Sequence, residues 1–220
     1  GPDLALAVVG DFNGDRKPDL VGAASAIGLG ISLNPRAAAL ADIKTIPTSG
    51  PVTGMVAGDL NEDGKLDLIY ADNAGAAVRL GDGRGGFAAP TILPGTALAA
   101  SLILADFDGD HHADLAALSG PSKLFWGDGT GAFRLAGTVP GGAWGGVAFD
   151  ADGDRLIDII TAASPYGTAG IETFGGSGPG LFQSTPTRKS GYGCYSFGGL
   201  AVGDFNGDRM LDVALGQSDC

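Results

Sequence analysis

One nine-residue pattern recurs five times along the chain, with Asp at its first, fifth and ninth positions and Asn or Asp at its third. The copies are Asp11–Asp19, Asp59–Asp67, Asp106–Asp114, Asp150–Asp158 and Asp204–Asp212, and the first reads Asp11-Phe12-Asn13-Gly14-Asp15-Arg16-Lys17-Pro18-Asp19. Their starts lie 48, 47, 44 and 54 residues apart. That is the period of a four-stranded propeller blade, and it is too long for a leucine-rich or ankyrin unit.

The runs between the copies carry the strands. An apolar stretch precedes each copy (Leu4 to Val9 before the first, Leu98 to Ala105 before the third) and another follows at once (Leu68-Ile69-Tyr70 after the second). Two such runs about an Asp- and Gly-rich turn read as a hairpin. A third strand then enters a second turn, Leu80-Gly81-Asp82-Gly83-Arg84-Gly85-Gly86-Phe87 or Trp126-Gly127-Asp128-Gly129-Thr130-Gly131-Ala132-Phe133. In the first repeat this turn has become Leu33 to Leu40, keeping its apolar ends and losing its glycines. A fourth strand closes each unit. The expected fold is one all-β propeller domain over 1–220, with four-stranded antiparallel blades near 1–50, 51–97, 98–142 and 143–193. Half of a fifth blade, 194–220, brings the count to 18 strands.

Composition agrees. Gly supplies 40 of 220 residues and hydrophobic residues 44%, so the chain has both the turns and the apolar runs of a many-stranded protein. A net charge of −12 repels a nucleic-acid backbone, so no nucleic-acid partner is expected. The longest nearly apolar run, Ala97 to Ala105, is about half of what a spanning helix needs, so no membrane insertion is expected either. The opening Gly1-Pro2, with no Met and no signal-like apolar region, is what a chain relieved of any targeting segment would show.

Oxygen atoms at positions 1, 3, 5 and 9, with a backbone carbonyl from position 7, are the hard ligands that calcium takes six to eight of. The candidate ligands are Asp11, Asn13, Asp15, Lys17 and Asp19; Asp59, Asn61, Asp63, Lys65 and Asp67; Asp106, Asp108, Asp110, His112 and Asp114; Asp150, Asp152, Asp154, Leu156 and Asp158; and Asp204, Asn206, Asp208, Met210 and Asp212. Lys17, Lys65, His112, Leu156 and Met210 enter through their carbonyls. Position 12 lacks the bidentate Glu of an EF-hand, and magnesium wants a smaller shell with more water. Turn-building alone explains one Asp- and Gly-rich loop. Five in register hold 17 Asp, whose mutual repulsion calls for cations, and five divalent ions would bring the net charge to −2.

These loops, the Gly-Asp-Gly-x-Gly-x-Phe turns and the period resemble FG-GAP/VCBS repeats, the units of integrin-α-like calcium-binding β-propellers. The chain departs from that pattern at position 6, where Arg16, His111, Arg155 and Arg209 replace the usual Gly. A left-handed backbone there would cost roughly 1 kcal/mol or more per residue. The resemblance implies up to five Ca2+ sites and a secreted or extracellular recognition module. Similar propellers include lectins, so a glycan is the first expected ligand; a protein ligand, as for an integrin, or a place within a larger polysaccharide-processing enzyme are the alternatives.

No enzyme is expected from this chain itself. His111 and His112 sit together inside one acidic loop, Gly81 to Gly85 lacks the helix and Lys-Ser/Thr of a phosphate loop, and Asp82 and Asp128 occupy equivalent turns. The 54-residue spacing puts extra residues on the face away from the acidic loops, where Trp144, Tyr166, Arg188, Tyr192 and Tyr195 form the candidate ligand site beside Lys189. Pairing Asp204 with Asp212 and extending that ladder brings Cys194 within two residues of Cys220, which suggests a disulfide stapling the half blade. The unpaired edge of that half blade calls for a cover, either a further chain as in a homo-oligomer or the rest of a longer protein.

Overall fold

The computed structural model describes residues 4–24, 28–35, 43–97, 99–139, 145–163, 170–178, 181–184, 196–208 and 211–218. Every regular element among them is a strand. The first sheet runs in order β1 (Leu4–Gly10), β2 (Asp19–Ala24), β3 (Gly28–Ser32), β4 (Ile43–Ile46). The second joins β5 (Gly54–Gly58), β6 (Asp67–Asp72), β7 (Gly75–Arg79) and β8 (Thr91–Ile92) in the same up-and-down order. So do β9 (Ser101–Ala105), β10 (Asp114–Leu118), β11 (Lys123–Gly127) and β12 (Phe133–Gly137), and then β13 (Gly145–Phe149), β14 (Asp158–Ala163), β15 (Gly170–Gly176) and β16 (Phe182–Ser184). A hairpin of β17 (Ser196–Gly203) and β18 (Asp212–Ser218) ends the series. These are the blades that the repeat predicts, four complete and one half.

Every residue of β6, β7 and β10 is buried. Middle strands covered on both faces read as short continuous apolar runs instead of alternating ones, which is why Leu68-Ile69-Tyr70 and Leu115-Ala116-Ala117-Leu118 stand out in the sequence. Two compact units emerge, one of residues 1–102 with 127–134 and the other of 103–126 with 135–220. In the first, Val21, Leu29 and Ile31 of the first sheet pack on Leu68, Tyr70 and Ala77 of the second. In the second, Ile103, Ala116 and Leu124 pack on Ile159 and Phe174. Each large side chain so buried contributes about 1.5 to 3 kcal/mol.

One register differs from expectation. The ladder pairs Gly203 with Asp212, not Asp204 with Asp212, and three other acidic hairpins do likewise: Gly10 with Asp19, Gly58 with Asp67, Phe149 with Asp158. The first Asp of each loop turns inward to accept loop amides, so the ladder stops one residue earlier. A bulge between Phe197 and Gly199 shifts the last hairpin by one more, so that Ser196 faces Ser218. Cys194 and Cys220 lie outside the described residues.

Candidate metal centres

Each acidic loop is folded around its first carboxylate. In the first loop Asp11 Oδ1 accepts the amides of Gly14 (2.7 Å) and Asp15 (3.1 Å), and Oδ2 accepts that of Arg16 (2.6 Å). The same clasp recurs at Asp59 with Asp63 and Gly64, at Asp106 with Gly109, Asp110 and His111, at Asp150 with Gly153 and Arg155, and at Asp204 with Gly207 and Asp208. Backbone amides converge in this way when right- and left-handed residues alternate. Positions 4 and 6 are the left-handed ones: Gly14 and Arg16 have φ of 76° and 64°, Gly109 and His111 83° and 74°, Gly153 and Arg155 85° and 72°. The second loop exchanges the residue types, with Glu62 at 58° and Gly64 at 77°. Position 6 is therefore left-handed in these four loops, in three of them despite a side chain, and the bond from its amide to the first Asp offsets the strain; Arg209 lies outside the described residues.

The fifth-position Asp accepts the amide of position 7, from Lys17 to Asp15, Lys65 to Asp63, His112 to Asp110 and Leu156 to Asp154, all within 2.8–3.0 Å. Met210 lies outside the described residues. The ninth-position Asp is the buried member: Asp19, Asp67 and Asp114 are fully inaccessible and Asp158 nearly so. Its Oδ2 accepts the amide of position 2, from Phe12, Leu60, Phe107, Ala151 and Phe205 at 2.7–2.9 Å. In three blades its Oδ1 accepts an amide from the end of the third strand, that of Asn34, Gly81 or Gly176. This residue ties the loop to the body of its blade, a role that spacing alone does not reveal. Burial pushes the Asp67 carboxyl above its ordinary range, against the two amides that hold it.

All-oxygen clusters result. Carboxylate oxygens of Asp106, Asp108 and Asp114 lie within 4.8 Å of one another, and so do those of Asp150, Asp152 and Asp158. Burial, followed by the neighbouring charges of Asp110 and Asp106, raises the Asp108 carboxyl. In the second loop, the Asn61 amide placed nitrogen-inward donates to Asp59 Oδ1 (3.2 Å) and Asp63 Oδ1 (3.1 Å). Placed oxygen-inward, it accepts the Asp63 amide at 3.3 Å and adds a third oxygen to those of Asp59 and Asp63, an arrangement that a cation would stabilise. The donors fit a hard divalent ion: oxygen throughout, no sulfur, and spare lone pairs on carboxylates already fixed by amides.

The loops differ at their rims. Asn34, at φ 51° in the glycine-poor turn of the first blade, donates from Nδ2 to Asp15 Oδ2 at 2.7 Å and keeps that carboxyl below its usual range. Its Oδ1 is buried with no hydrogen-bond partner. In the second loop the Lys65 ammonium sits 2.8 Å from Asp63 Oδ2, lowering the Asp and raising the Lys. The sequence signal for Asn34 is its place opposite Gly81 in the next repeat, although its reach to Asp15 is not evident from that alignment.

Asp82 Oδ1 accepts the amides of Gly86 and Arg84, and Asp128 Oδ1 accepts both the amide and the side-chain hydroxyl of Thr130, so both are turn builders. The His111 side chain is 94% exposed, 3.6 Å from Asp106. A cavity of about 610 Å³ opens between Asp11, Asp59, Lys65, Asp82 and Arg84 in the first unit, and one of about 310 Å³ at Asp106, His111 and Arg155 in the second. Trp144, Tyr166, Arg188, Lys189, Tyr192 and Tyr195 lie outside the described residues.

A family model for the FG-GAP-like repeat matches residues 11–70 and 59–117, each match running from one acidic loop through the next. No curated protein matches the chain. Among solved structures, a lectin from Agrocybe aegerita, described for specific recognition of non-reducing terminal N-acetylglucosamine, is 21% identical with a TM-score of 0.64, over 96% of this chain and 61% of that one. The V. cholerae biofilm matrix protein Bap1 is 16% identical with a TM-score of 0.52, over 98% of this chain and 35% of its own. The Photorhabdus luminescens Tc holotoxin pore is 18% identical at 0.51, over 98% and 11%. This chain thus spans less than two thirds of each. The repeat in the sequence, the four-stranded blade and the unit that the family model matches coincide, and over residues 11–117 the chain is built of FG-GAP-like repeats.

Proposed function

We propose that this chain is an extracellular, calcium-loaded recognition module that binds a glycan, and that it performs no catalysis of its own. The observation that carries the reading is the pair of all-oxygen clusters at Asp106, Asp108 and Asp114 and at Asp150, Asp152 and Asp158, in loops whose amide clasp recurs in all five copies. Calcium would be held by the carboxylate or amide oxygens at positions 1, 3, 5 and 9 and the carbonyl at position 7, where it supplies charge neutralisation and rigidity. Millimolar calcium outside the cell fills even weak sites of this kind. The glycan part rests on the fold shared with the Agrocybe aegerita lectin, and on the aromatic and cationic residues Trp144, Tyr166, Arg188, Tyr192 and Tyr195 in the long fourth repeat.

A glycan array probed with calcium and again with chelator tests both parts. Binding that requires calcium supports the reading; no binding to any glycan in calcium removes the lectin part and leaves protein adhesion. With a ligand in hand, single Ala replacements of Trp144, Tyr166, Tyr192 and Tyr195 locate the site. Undiminished binding in all four, at unchanged melting temperature, moves it elsewhere.

A further inference from the structure

Asparagine followed by glycine can modify itself, because a glycine nitrogen has no neighbouring Cβ to hinder its attack on the asparagine side chain. The chain has five asparagines, and two meet this condition: Asn13 before Gly14 and Asn206 before Gly207. Both pairs occupy positions 3 and 4 of an acidic loop, the first and the fifth. At the other three the next residue forbids or hinders the step, since Pro35 after Asn34 has no N–H, and Glu62 after Asn61 and Ala74 after Asn73 each bring a Cβ. Gly14, Asn206 and Gly207 are exposed and Asn13 is half-buried, so water reaches both pairs.

In both loops the clasp keeps the reacting groups apart. The Gly14 amide donates to Asp11 Oδ1 at 2.7 Å, and the Gly207 amide to Asp204 Oδ1 at 2.6 Å. Attack needs that nitrogen without its proton, and a carboxylate at hydrogen-bond distance disfavours a second negative charge there. The electrophile is engaged as well. Asn13 Oδ1 accepts the Asp15 amide at 3.0 Å and Asn206 Oδ1 the Asp208 amide at 2.9 Å, which turns each side chain toward the nitrogen two residues on instead of the glycine nitrogen. Opening the clasp releases nucleophile and electrophile together.

We infer that Asn13 and Asn206 are modification sites, latent while the first Asp of their loop clasps it, and that each converts by deamidation when that clasp opens. The Gly14 nitrogen bonds to Asn13 Cγ, its proton leaves with the side-chain nitrogen as ammonia, and water opens the resulting cyclic imide at either carbonyl. Asn206 and Gly207 follow the same course. One product is aspartate, the position-3 residue of the third and fourth loops, where Asp108 and Asp152 belong to the oxygen clusters. The other is isoaspartate, whose backbone runs through the former side chain and so sets one more carbon between Asp11 and Asp15. The first product adds a charge to the donor set, and the second takes the loop out of register. What either does to a bound ion rests on the calcium reading; the conversion itself does not.

Peptide mapping by mass spectrometry of the full chain, aged in chelator at mildly alkaline pH, tests it with Asp11→Ala and Asp204→Ala. In Asp11→Ala, Asn13 should convert about tenfold faster than in the wild type or more, as losing a charge-assisted bond shifts a local opening equilibrium, while Asn206 keeps its wild-type rate. Asp204→Ala should do the reverse, and Asn61 and Asn73 should stay intact throughout. Unchanged conversion of Asn13 and Asn206 in their own variants overturns the proposal. Equal acceleration of both sites in either variant overturns it too, because that marks general loosening instead of a released clasp. Far-ultraviolet circular dichroism confirms folding; should an Ala variant unfold, Asp11→Asn or Asp204→Asn, which keeps the oxygen and removes the charge, carries the same comparison. With chelator present throughout, a failed calcium reading shows in thermal melts and a failed clasp in the peptide map.

Discussion

Side chains at the loop rims set the acidic sites apart from one another. The position-5 carboxylate of the first loop is held by a neutral amide, Asn34, while that of the second is held by an ammonium that a cation must compete with. Replacing Asn34 by Gly, the residue of the next repeat, removes that hold and relieves a left-handed backbone. Calorimetric titration should show one calcium site weakened about tenfold, as when a ligand's supporting partner is lost, while the calcium-free protein melts no lower. A lower calcium-free melting temperature with unchanged affinities would make Asn34 a turn residue only. Asp82 answers to pH instead. Amides of Gly86 and Arg84 favour its charged form, so its folded value lies below the ordinary 3.8. Its contribution is therefore full above that ordinary value and is lost as pH falls through the lower folded one. Asp82→Asn keeps an acceptor and removes the charge, so its denaturation midpoint should trail the wild type at neutral pH and converge with it in acid.

At the scale of strands and turns, legibility follows the range of the interaction. The hairpins flanking each acidic loop could be read because their turn chemistry and apolar runs are local, and the fourth strand expected to close each unit is present in the first as β4. The ninth-position Asp reads as a metal ligand from spacing, but its bond to Gly81 or Gly176 spans 14 or 18 residues and leaves no local trace. Arg79 is equally silent. It is 8% exposed, donates to Tyr70 Oη, Ala88 O and Pro47 O, and lies 5.8 Å from the centre of the Tyr70 ring. Arg79→Ala leaves those carbonyls unpaired beside a void and should cost about 2 to 4 kcal/mol in urea unfolding; Arg79→Lys should recover only part, lacking the planar fork. The shifted register of the last hairpin sharpens a prediction as well. Ser196 lies opposite Ser218, and in the sequence Cys194 stands two residues before the one and Cys220 two after the other. Mass spectrometry of the unreduced protein should find a Cys194–Cys220 cross-link, and two alkylatable thiols would exclude it.

For the molecule as a whole the deciding quantity is charge. Eighteen of 25 acidic residues, 17 Asp and Glu62, stand in the five loops, and the chain carries −12 overall. Without metal ions, those carboxylates are held together by amides and by Lys65 on Asp63, several of them at low accessibility where repulsion is weakly screened. A site filled to 100 times its dissociation constant adds about 2.7 kcal/mol, which in a protein of this size raises the melting temperature by roughly 5 to 10 °C. Thermal melts in calcium and in chelator should therefore differ by at least that much, and indistinguishable melts would leave the loops as turns. Concentrated monovalent salt should restore part of the loss in chelator, because it screens the repulsion without completing any shell, and magnesium should restore less than calcium because it gives up its waters reluctantly. The order of filling is also set by the fold. In the first, second and fourth blades the buried Asp is pinned by two amides, one of them from the third strand. Asp212, held by the Phe205 amide, is only half-buried, whereas Asp19, Asp67 and Asp114 are fully inaccessible. Its carboxylate is the least shielded from water, so its loop should be the weakest site. Amide exchange during a calcium titration should show Gly207 and Asp208 gaining protection last, and protection there before the other loops would mean that burial of the ninth-position Asp does not govern affinity.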